Sequence, residues 1–358
     1  MPKRVFVAMS GGVDSSVAAA LLQEEGYQVV GVTLQIWQRE GESPTPDGCC
    51  GLEAVESARG VARKLGIPHY VLNFRERFAR SVIADFCEEY RRGHTPNPCI
   101  VCNRVIKFGT LLEQVRGMEG DYLATGHYAR IEHYDGAYHL LKGVDPKKDQ
   151  SYFLYMLGQG ELAYLLFPVG KRHKTEVRKL ATGLELPAAR RPESQDICFV
   201  SDRDYRSFLA ERIPLEPGDI VDVGGQVLGR HAGLARYTVG QRQGMGVSSA
   251  QRLYVLRLDM ANNRLVVGTR EQLLTDTVYV TSLSWVAGKT PASGEMMAKV
   301  RYRAPEVPVT LDLRDSTAEV RFHQPQAGVA TGQAVVFYQG EEVLGGGTIC
   351  ELKQFPHK

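Results

Sequence analysis

The feature that most constrains this 358-residue chain is a heptapeptide near its start, Ser10-Gly11-Gly12-Val13-Asp14-Ser15-Ser16. The apolar run Arg4 to Met9 precedes it and reads as a buried strand. A helix from about Ser15 to Glu25, stopped by Gly26, comes after it. Strand, glycine turn and helix in that order leave unpaired backbone N–H groups at the helix start, with the helix dipole behind them, and so build an anion site. Paired glycines admit positive φ and let the backbone approach phosphate oxygens. Ser10, Ser15 and Ser16 add hydroxyl donors. Asp14 beside such a site makes chemical sense with a Mg²⁺ between carboxylate and phosphate. An ordinary capped turn explains one Ser or Asp, but not two glycines with three hydroxyls. The loop is neither the Gly-Lys-Ser type nor the dinucleotide fingerprint.

The surrounding pattern is that of a doubly wound α/β fold with a parallel sheet. Tyr27 to Leu34 reads as the second strand, Glu53 to Leu65 as a helix stopped by Gly66-Ile67-Pro68, and His69 to Asn73 as the next strand. Phe78, Val82, Phe86 and Tyr90 form one apolar stripe on a long helix, and Asp121 to Thr125 is a further strand. Ligands of such sheets lie beyond the carboxyl ends of the strands. From about Ile213 glycine rises and helical periodicity fades, and from about Thr277 short alternating runs dominate, as in Val307 to Leu313 and Ala334 to Tyr338. We therefore expect three domains: 1–205, α/β; 206–276, small and mostly β; 277–358, a small barrel or sandwich. No apolar stretch approaches the about 18 residues of a membrane span, and the start has no signal-peptide core. A soluble, cytoplasmic protein is expected, with no membrane partner.

Net charge is only +2, so the total does not announce a nucleic-acid partner. Between Lys142 and Arg191, however, ten Lys or Arg stand against five Asp or Glu. That local excess suits phosphate binding or, equally, solvated helix faces.

Seven cysteines, at 49, 50, 87, 99, 102, 198 and 350, are an odd number, which favours chemistry or metal binding over a disulfide framework. Cys99-Ile100-Val101-Cys102 comes directly after His94-Thr95-Pro96-Asn97-Pro98. The two prolines predict that this stretch is not helical. Such a pair suits redox exchange or metal ligation. Cys198 lies beyond the polar Pro192-Glu193-Ser194-Gln195-Asp196, and its own segment favours a buried core thiol between Ile197 and Phe199.

Ser-Gly-Gly-Val-Asp-Ser resembles the loop of the pyrophosphatase-loop enzymes, which split ATP into AMP and pyrophosphate while adenylating their substrate. Taken with Asn97 to Phe108, Thr125 to Ala129, Lys148 to Leu154, Glu193 to Val200, Tyr237 to Gln241 and Val300 to Arg303, it makes nearly the whole chain resemble the bacterial tRNA-specific 2-thiouridylase family. The resemblance implies an adenine nucleotide hydrolase-like first domain, a small central domain and a C-terminal β-barrel that contacts tRNA. It assigns ATP contacts to Ala8, Met9, Ser10, Gly11, Gly12, Val13, Asp14, Ser15, Leu34 and Gly126, with Mg²⁺ at Asp14. Catalysis falls to Cys198, carrying sulfur as a persulfide, and Cys102. The resemblance gives the target base to Asn97, Pro98 and Cys99, and further tRNA contacts to Lys148, Asp149, Gln150, Arg301 and Tyr302. The substrates it implies are the lysine, glutamate and glutamine tRNAs, thiolated at the wobble uridine.

Some family members have Asp at the position of Cys99. Here Cys99, Cys102 and Cys198 are all present, so an iron–sulfur cluster on the three is the alternative to persulfide transfer. A cysteine desulfurase or sulfur-relay protein is the implied partner of a monomeric enzyme. Cys49, Cys50, Cys87 and Cys350 are assigned no role. The competing readings are a small-molecule adenylating synthetase, which has no use for Cys102 and Cys198, and an RNA-binding protein without turnover, against which the intact loop speaks.

Overall fold

A computed structural model describes residues 2–37, 52–191, 197–200, 204–249 and 251–351. Cys49, Cys50 and Pro192 to Asp196 lie outside the described residues. Four strands, β1 (Arg4–Ala8), β2 (Gln28–Gln35), β3 (His69–Asn73) and β4 (Tyr122–Thr125), form a parallel sheet in the order 3-2-1-4. Alternation divides β1 between two cores. Val5, Val7 and Met9 pack with helix α1 (Val13–Glu24), while Phe6 packs with the helical segments 75–91 and 98–117 on the other face. A strand buried on both faces has no polar alternation to show, and each such side chain contributes about 1.5–3 kcal/mol. Helix α2 (Leu52–Leu65) covers the same face as α1 through Ala58 and Val61.

Beyond β4 comes a hairpin, β5 (Ala129–Tyr134) and β6 (Ala137–Lys142), turned at Asp135 and Gly136 with φ of 51° and 74°. A two-residue strand, β7 (Leu165–Leu166), then completes the first sheet beside β4. The second unit is a four-stranded sheet of β8 (Gly218–Val221), β9 (Val227–His231), β10 (Tyr254–Asp259) and β11 (Arg264–Gly268), in the order 10-11-8-9.

The third unit is a closed barrel. Its six strands are β12 (Leu274–Trp285), β13 (Gly294–Lys299), β14 (Val307–Arg314), β15 (Thr317–Ala327), β16 (Ala334–Gln339) and β17 (Glu342–Cys350), and β12 pairs with both β15 and β17. The β5–β6 hairpin of the first domain adds to this barrel, with Leu141 opposite Glu342.

One expectation needs correction. The segment around Cys99 is helical, because Pro98 begins the helix rather than preventing it. Pro98 occupies the first helical position, where its fixed φ suits the helix and its missing N–H costs nothing. The run continues through the wider-turned Cys102–Leu111 to Leu112–Gly117. The residues just before it are gripped by both other domains. Thr95 N–H donates to the Thr331 carbonyl at 2.8 Å, Gln333 Nε2 donates to the Thr95 carbonyl at 2.6 Å, and a Cβ on Gly93 would lie 2.7 Å from Met260 Sδ.

Candidate active site

The phosphate loop leaves β1 and enters α1 as its sequence requires. Gly11 has φ 72° and lies so close to the Ala54 carbonyl that any side chain would overlap it. Its own carbonyl accepts from Ser57 Oγ at 2.8 Å and Arg191 Nη1 at 3.3 Å. Gly12 is the N-cap and makes no side-chain cap, so no capping side chain competes with an anion for the first-turn amides. The hydroxyls divide. Ser16 is fully buried and donates to the Gly12 carbonyl at 2.7 Å, and Ser15, 4 % exposed, receives Ser10 N–H at 3.2 Å. These two fasten the loop, and Ser10 is the exposed one. Gly126, just past β4, lies against the same turn, where a Cβ would come 2.7 Å from Ser15 N. Leu34, at the carboxyl end of β2, is half-buried.

Asp14 is where the structure departs most from a sequence-level picture. Lys174 Nζ donates to both of its carboxylate oxygens at 2.7 Å, and Tyr128 Oη donates to one of them at 2.7 Å. The Lys174 side chain is 9 % exposed. It opens the helix Lys174–Gly183, whose Val177 and Ala181 sit in the same core as Val13 and Val17. Beside β4, burial pushes the His127 imidazole well below its usual pKa, so the ring is neutral, and Thr125 Oγ1 meets its Nδ1 at 2.6 Å.

The cysteines separate by environment. Cys99 is exposed on the first helical turn, and Cys102 is buried one turn on, at 8 % exposure. Cys198 is half-buried against the apolar cluster that contains Cys102 and that Leu34 also touches. Its neighbour Phe199 takes the core position instead, with ring centroids 5.7 Å from Phe78, 5.3 Å from Phe86 and 5.2 Å from Phe208. Cys198 is therefore not the core thiol that its segment favoured. Burial pushes the thiols of Cys87 and Cys350 up, which makes them poor nucleophiles.

The residues assigned to RNA contact fall into two groups. Asp149 is 7 % exposed, and its carboxylate accepts from Gly143 N–H at 3.0 Å and from Ser151 N–H and Oγ at 3.1 and 3.0 Å. Gln150 Oε1 accepts from Tyr128 N–H at 3.0 Å. Both side chains shape the loop from inside, and Lys148 is the cation among these three assigned residues. Arg301 is exposed and Tyr302 half-buried in a turn between β13 and β14. The Tyr302 ring packs 4.4 Å from Phe153, whose carbonyl accepts from Asn103 Nδ2 at 3.1 Å. The barrel turn thus reaches the helix that carries Cys102. Asn97 is half-buried and Pro98 buried at that helix's start.

Residues 3–202 match the family model of the tRNA methyl transferase HUP domain, 206–269 that of the tRNA methyl transferase PRC-barrel domain, and 275–349 that of the aminomethyltransferase β-barrel domain. The tRNA-specific 2-thiouridylase MnmA of Geotalea uraniireducens (strain Rf4) is 51% identical over 357 residues, which cover 97% of this chain and 95% of that one. The enzyme of the same name from Geobacter metallireducens is 50% identical over 356 residues, covering 97% and 96%. That from Carboxydothermus hydrogenoformans is 50% identical over 355 residues, covering 97% of each.

This chain belongs to the tRNA-specific 2-thiouridylase family. Its α/β domain, small β domain and closed barrel coincide with the three matched stretches. Within this 2-thiouridylase chain, sequence reading missed three residues of the site. Lys174 counted only as part of a basic segment, Tyr128 only as part of a matched stretch, and Phe199 only as a neighbour of Cys198. No single-sequence signal pairs Lys174 with Asp14, 160 residues away. Nor does any local signal place the Phe199 ring against Phe78 and Phe86.

Proposed function

We propose that this chain 2-thiolates the wobble uridine of lysine, glutamate and glutamine tRNAs at the expense of ATP. The observation that carries the reading is the 51% identity to a tRNA-specific 2-thiouridylase over 97% of the chain. It is supported by Cys102 lying in, and Cys198 against, an extensive apolar core that Leu34 also touches. The names of the relatives specify thiolation, whereas the family-model descriptions speak of methyl transfer, and a sulfur-handling cysteine pair serves the former.

The C2 oxygen of uracil is a poor leaving group, and transfer of AMP to it, with release of pyrophosphate, makes it a good one. The first-turn amides of α1 hold the polyphosphate, and Gly126 keeps β4 close against them. Cys198 receives sulfur as a persulfide from a cysteine desulfurase or relay protein. The terminal sulfur attacks C2, and AMP departs with the oxygen. Cys102 thiolate then attacks Cys198 Sγ, the S–S bond to the base breaks, and sulfur stays on C2. The resulting Cys102–Cys198 disulfide returns to thiols by exchange with an external dithiol. Asn97, Pro98 and Cys99 meet the extruded base, while Lys148, Arg301 and Tyr302 hold the RNA around it. We take the enzyme to act as a monomer in the cytoplasm. Among the described residues no helix is long and apolar enough to cross a membrane.

Two metal assignments fit less well. A Mg²⁺ bound directly by Asp14 would have to displace Lys174 from both carboxylate oxygens, so this carboxylate does not fit a protein-held Mg²⁺. A cluster needs Cys99, Cys102 and Cys198 as one ligand set. Among the described residues no three His, Cys, Asp or Glu are gathered to hold a metal, and Cys99 faces solvent while Cys102 is buried.

The test is mass spectrometry of anticodon nucleosides after incubation with tRNA, ATP and a persulfide donor, with and without oxygen. Thiolated uridine that depends on ATP and on both cysteines is the expected result. No thiolation under either atmosphere sinks the reading.

A further inference from the structure

Three groups from three separate elements converge on the phosphate loop, and the thiolation steps leave them without a role. Asp14 lies in the first turn of α1, where the amides of the anion site begin. A carboxylate at that place opposes the binding of a polyphosphate. The helix start favours negative charge, but two anions in contact repel unless a cation lies between or beside them. Lys174 supplies that cation from within the protein. Its ammonium contacts both Asp14 oxygens at 2.7 Å, and it lies 5.6 Å over the Tyr128 ring, whose hydroxyl holds the same carboxylate. A buried lysine is expensive to desolvate unless it is paired and well bonded. Its backbone is fixed as well, because Lys174 N–H donates to Asp145 Oδ2 at 3.0 Å.

We propose that Lys174 is a positioning residue for nucleotide binding. It neutralises Asp14 and, with Tyr128, holds that carboxylate aside, so that the triphosphate of ATP can occupy the amides of α1. The proposal rests on the reading of the loop as the ATP site. It gives Lys174 the task of a counter-charge that a metal on Asp14 would otherwise perform. The loop carries no lysine of its own, so the cation arrives from the helix Lys174–Gly183.

The charge logic makes a reversal that a purely structural lysine would not show. Lys174→Met leaves a bare carboxylate beside the polyphosphate, and ATP binding weakens by about tenfold or more. Asp14→Asn in the same chain removes that carboxylate, and the double variant Lys174→Met/Asp14→Asn binds ATP better than Lys174→Met alone, by several-fold. Calorimetric titration of full-length wild type, both single variants and the double variant with ATP in the presence of Mg²⁺ reads these numbers. Binding of unmodified tRNA to each variant reports whether the fold is kept. Recovery of ATP binding in the double variant, with tRNA binding retained throughout, supports the assignment. Wild-type ATP affinity in Lys174→Met, or a double variant as weak as Lys174→Met, overturns it while leaving the ATP site in place. Wild type that binds no ATP overturns the ATP-site reading and this inference together.

Discussion

Gly126 and Cys99 show how much a single position decides. A methyl group on Gly126 would come 2.7 Å from Ser15 N and 2.8 Å from the Asp14 carbonyl carbon, so Gly126→Ala pushes the phosphate loop off the end of β4. We expect AMP formation in the presence of tRNA to fall by about tenfold or more, while stability drops by only about 1–3 kcal/mol, as for other overpacked sites. Unchanged AMP formation in Gly126→Ala would remove the contact between β4 and the loop from the mechanism. Cys99 separates the two sulfur chemistries. Exposed on the first helical turn, it only touches the target base in persulfide transfer, and Cys99→Ser then keeps substantial thiolation. Cys102→Ser and Cys198→Ser lose it. Anaerobic reconstitution with iron, then metal quantification and the thiolation assay on all three variants, checks this. Bound iron in wild type with all three variants equally inactive would overturn persulfide transfer. At this scale the sequence disclosed residue types better than partners. Two glycines and three serines announced an anion loop, yet nothing near Asp14 in the chain disclosed that Lys174 holds it, or that Ser16 faces inward to the Gly12 carbonyl.

At the scale of elements, the proposed sulfur chemistry depends on how the short Cys198 segment is anchored. Ile197 to Val200 emerges from a stretch outside the described residues, and the Phe199 ring fixes it among Phe78, Phe86 and Phe208. Cys198 is thereby kept half-exposed beside the cluster instead of inside it. Phe199→Ala removes these contacts at a cost of about 3 kcal/mol or more, typical of a buried aromatic. It should also lower thiolation far more than ATP-dependent AMP formation, because the phosphate loop belongs to the opposite core. Equal losses in the two assays would mean that Phe199 merely supports the fold. The long first-domain elements were readable because apolar periodicity is local. The start at Pro98 was misread for a local reason too. Asn97, as a residue before proline, is extended at φ −114° and ψ 93°, but that restriction bears on Asn97 alone and leaves Pro98 and Cys99 free to be helical. The β5–β6 hairpin went unread, although its Asp135-Gly136 turn, with both residues at positive φ, has the residue pair such a turn favours. The two-residue β7 offered no pattern at all, since it exists only by pairing with β4.

The whole molecule brings together groups that no local pattern could. Barrel closure through β12 and β17, the pairing of the β5–β6 hairpin with that barrel, and the grip on Thr95 from Thr331 and Gln333 join residues far apart in sequence. One consequence under the proposed function is that cations of two domains would serve a single RNA. Lys299 of the barrel lies 3.8 Å from Asp149, Lys142 of the first domain pairs with Glu306 of the barrel at 2.6 Å, and Tyr302 packs on Phe153. The loop of Lys148 and the turn of Arg301 are thus fixed relative to each other and to the Cys102 helix. If each meets one phosphate around the anticodon, tRNA binding releases one condensed counterion per contact. Lys148→Ala and Arg301→Ala should then each reduce the slope of log K against log salt by about 0.7, and the double variant by about 1.4. Arg321, 60 % exposed at its side chain and already paired with Glu319 at 2.7 Å, serves as the control cation, and Arg321→Ala should leave the slope alone. Filter binding of one unmodified tRNA across a salt series measures all four. A variant that weakens binding equally at every salt concentration has lost shape rather than a phosphate contact. A slope that falls as far for Arg321→Ala as for the other two would mean that the RNA senses only total charge, and the assigned contact surface would be wrong.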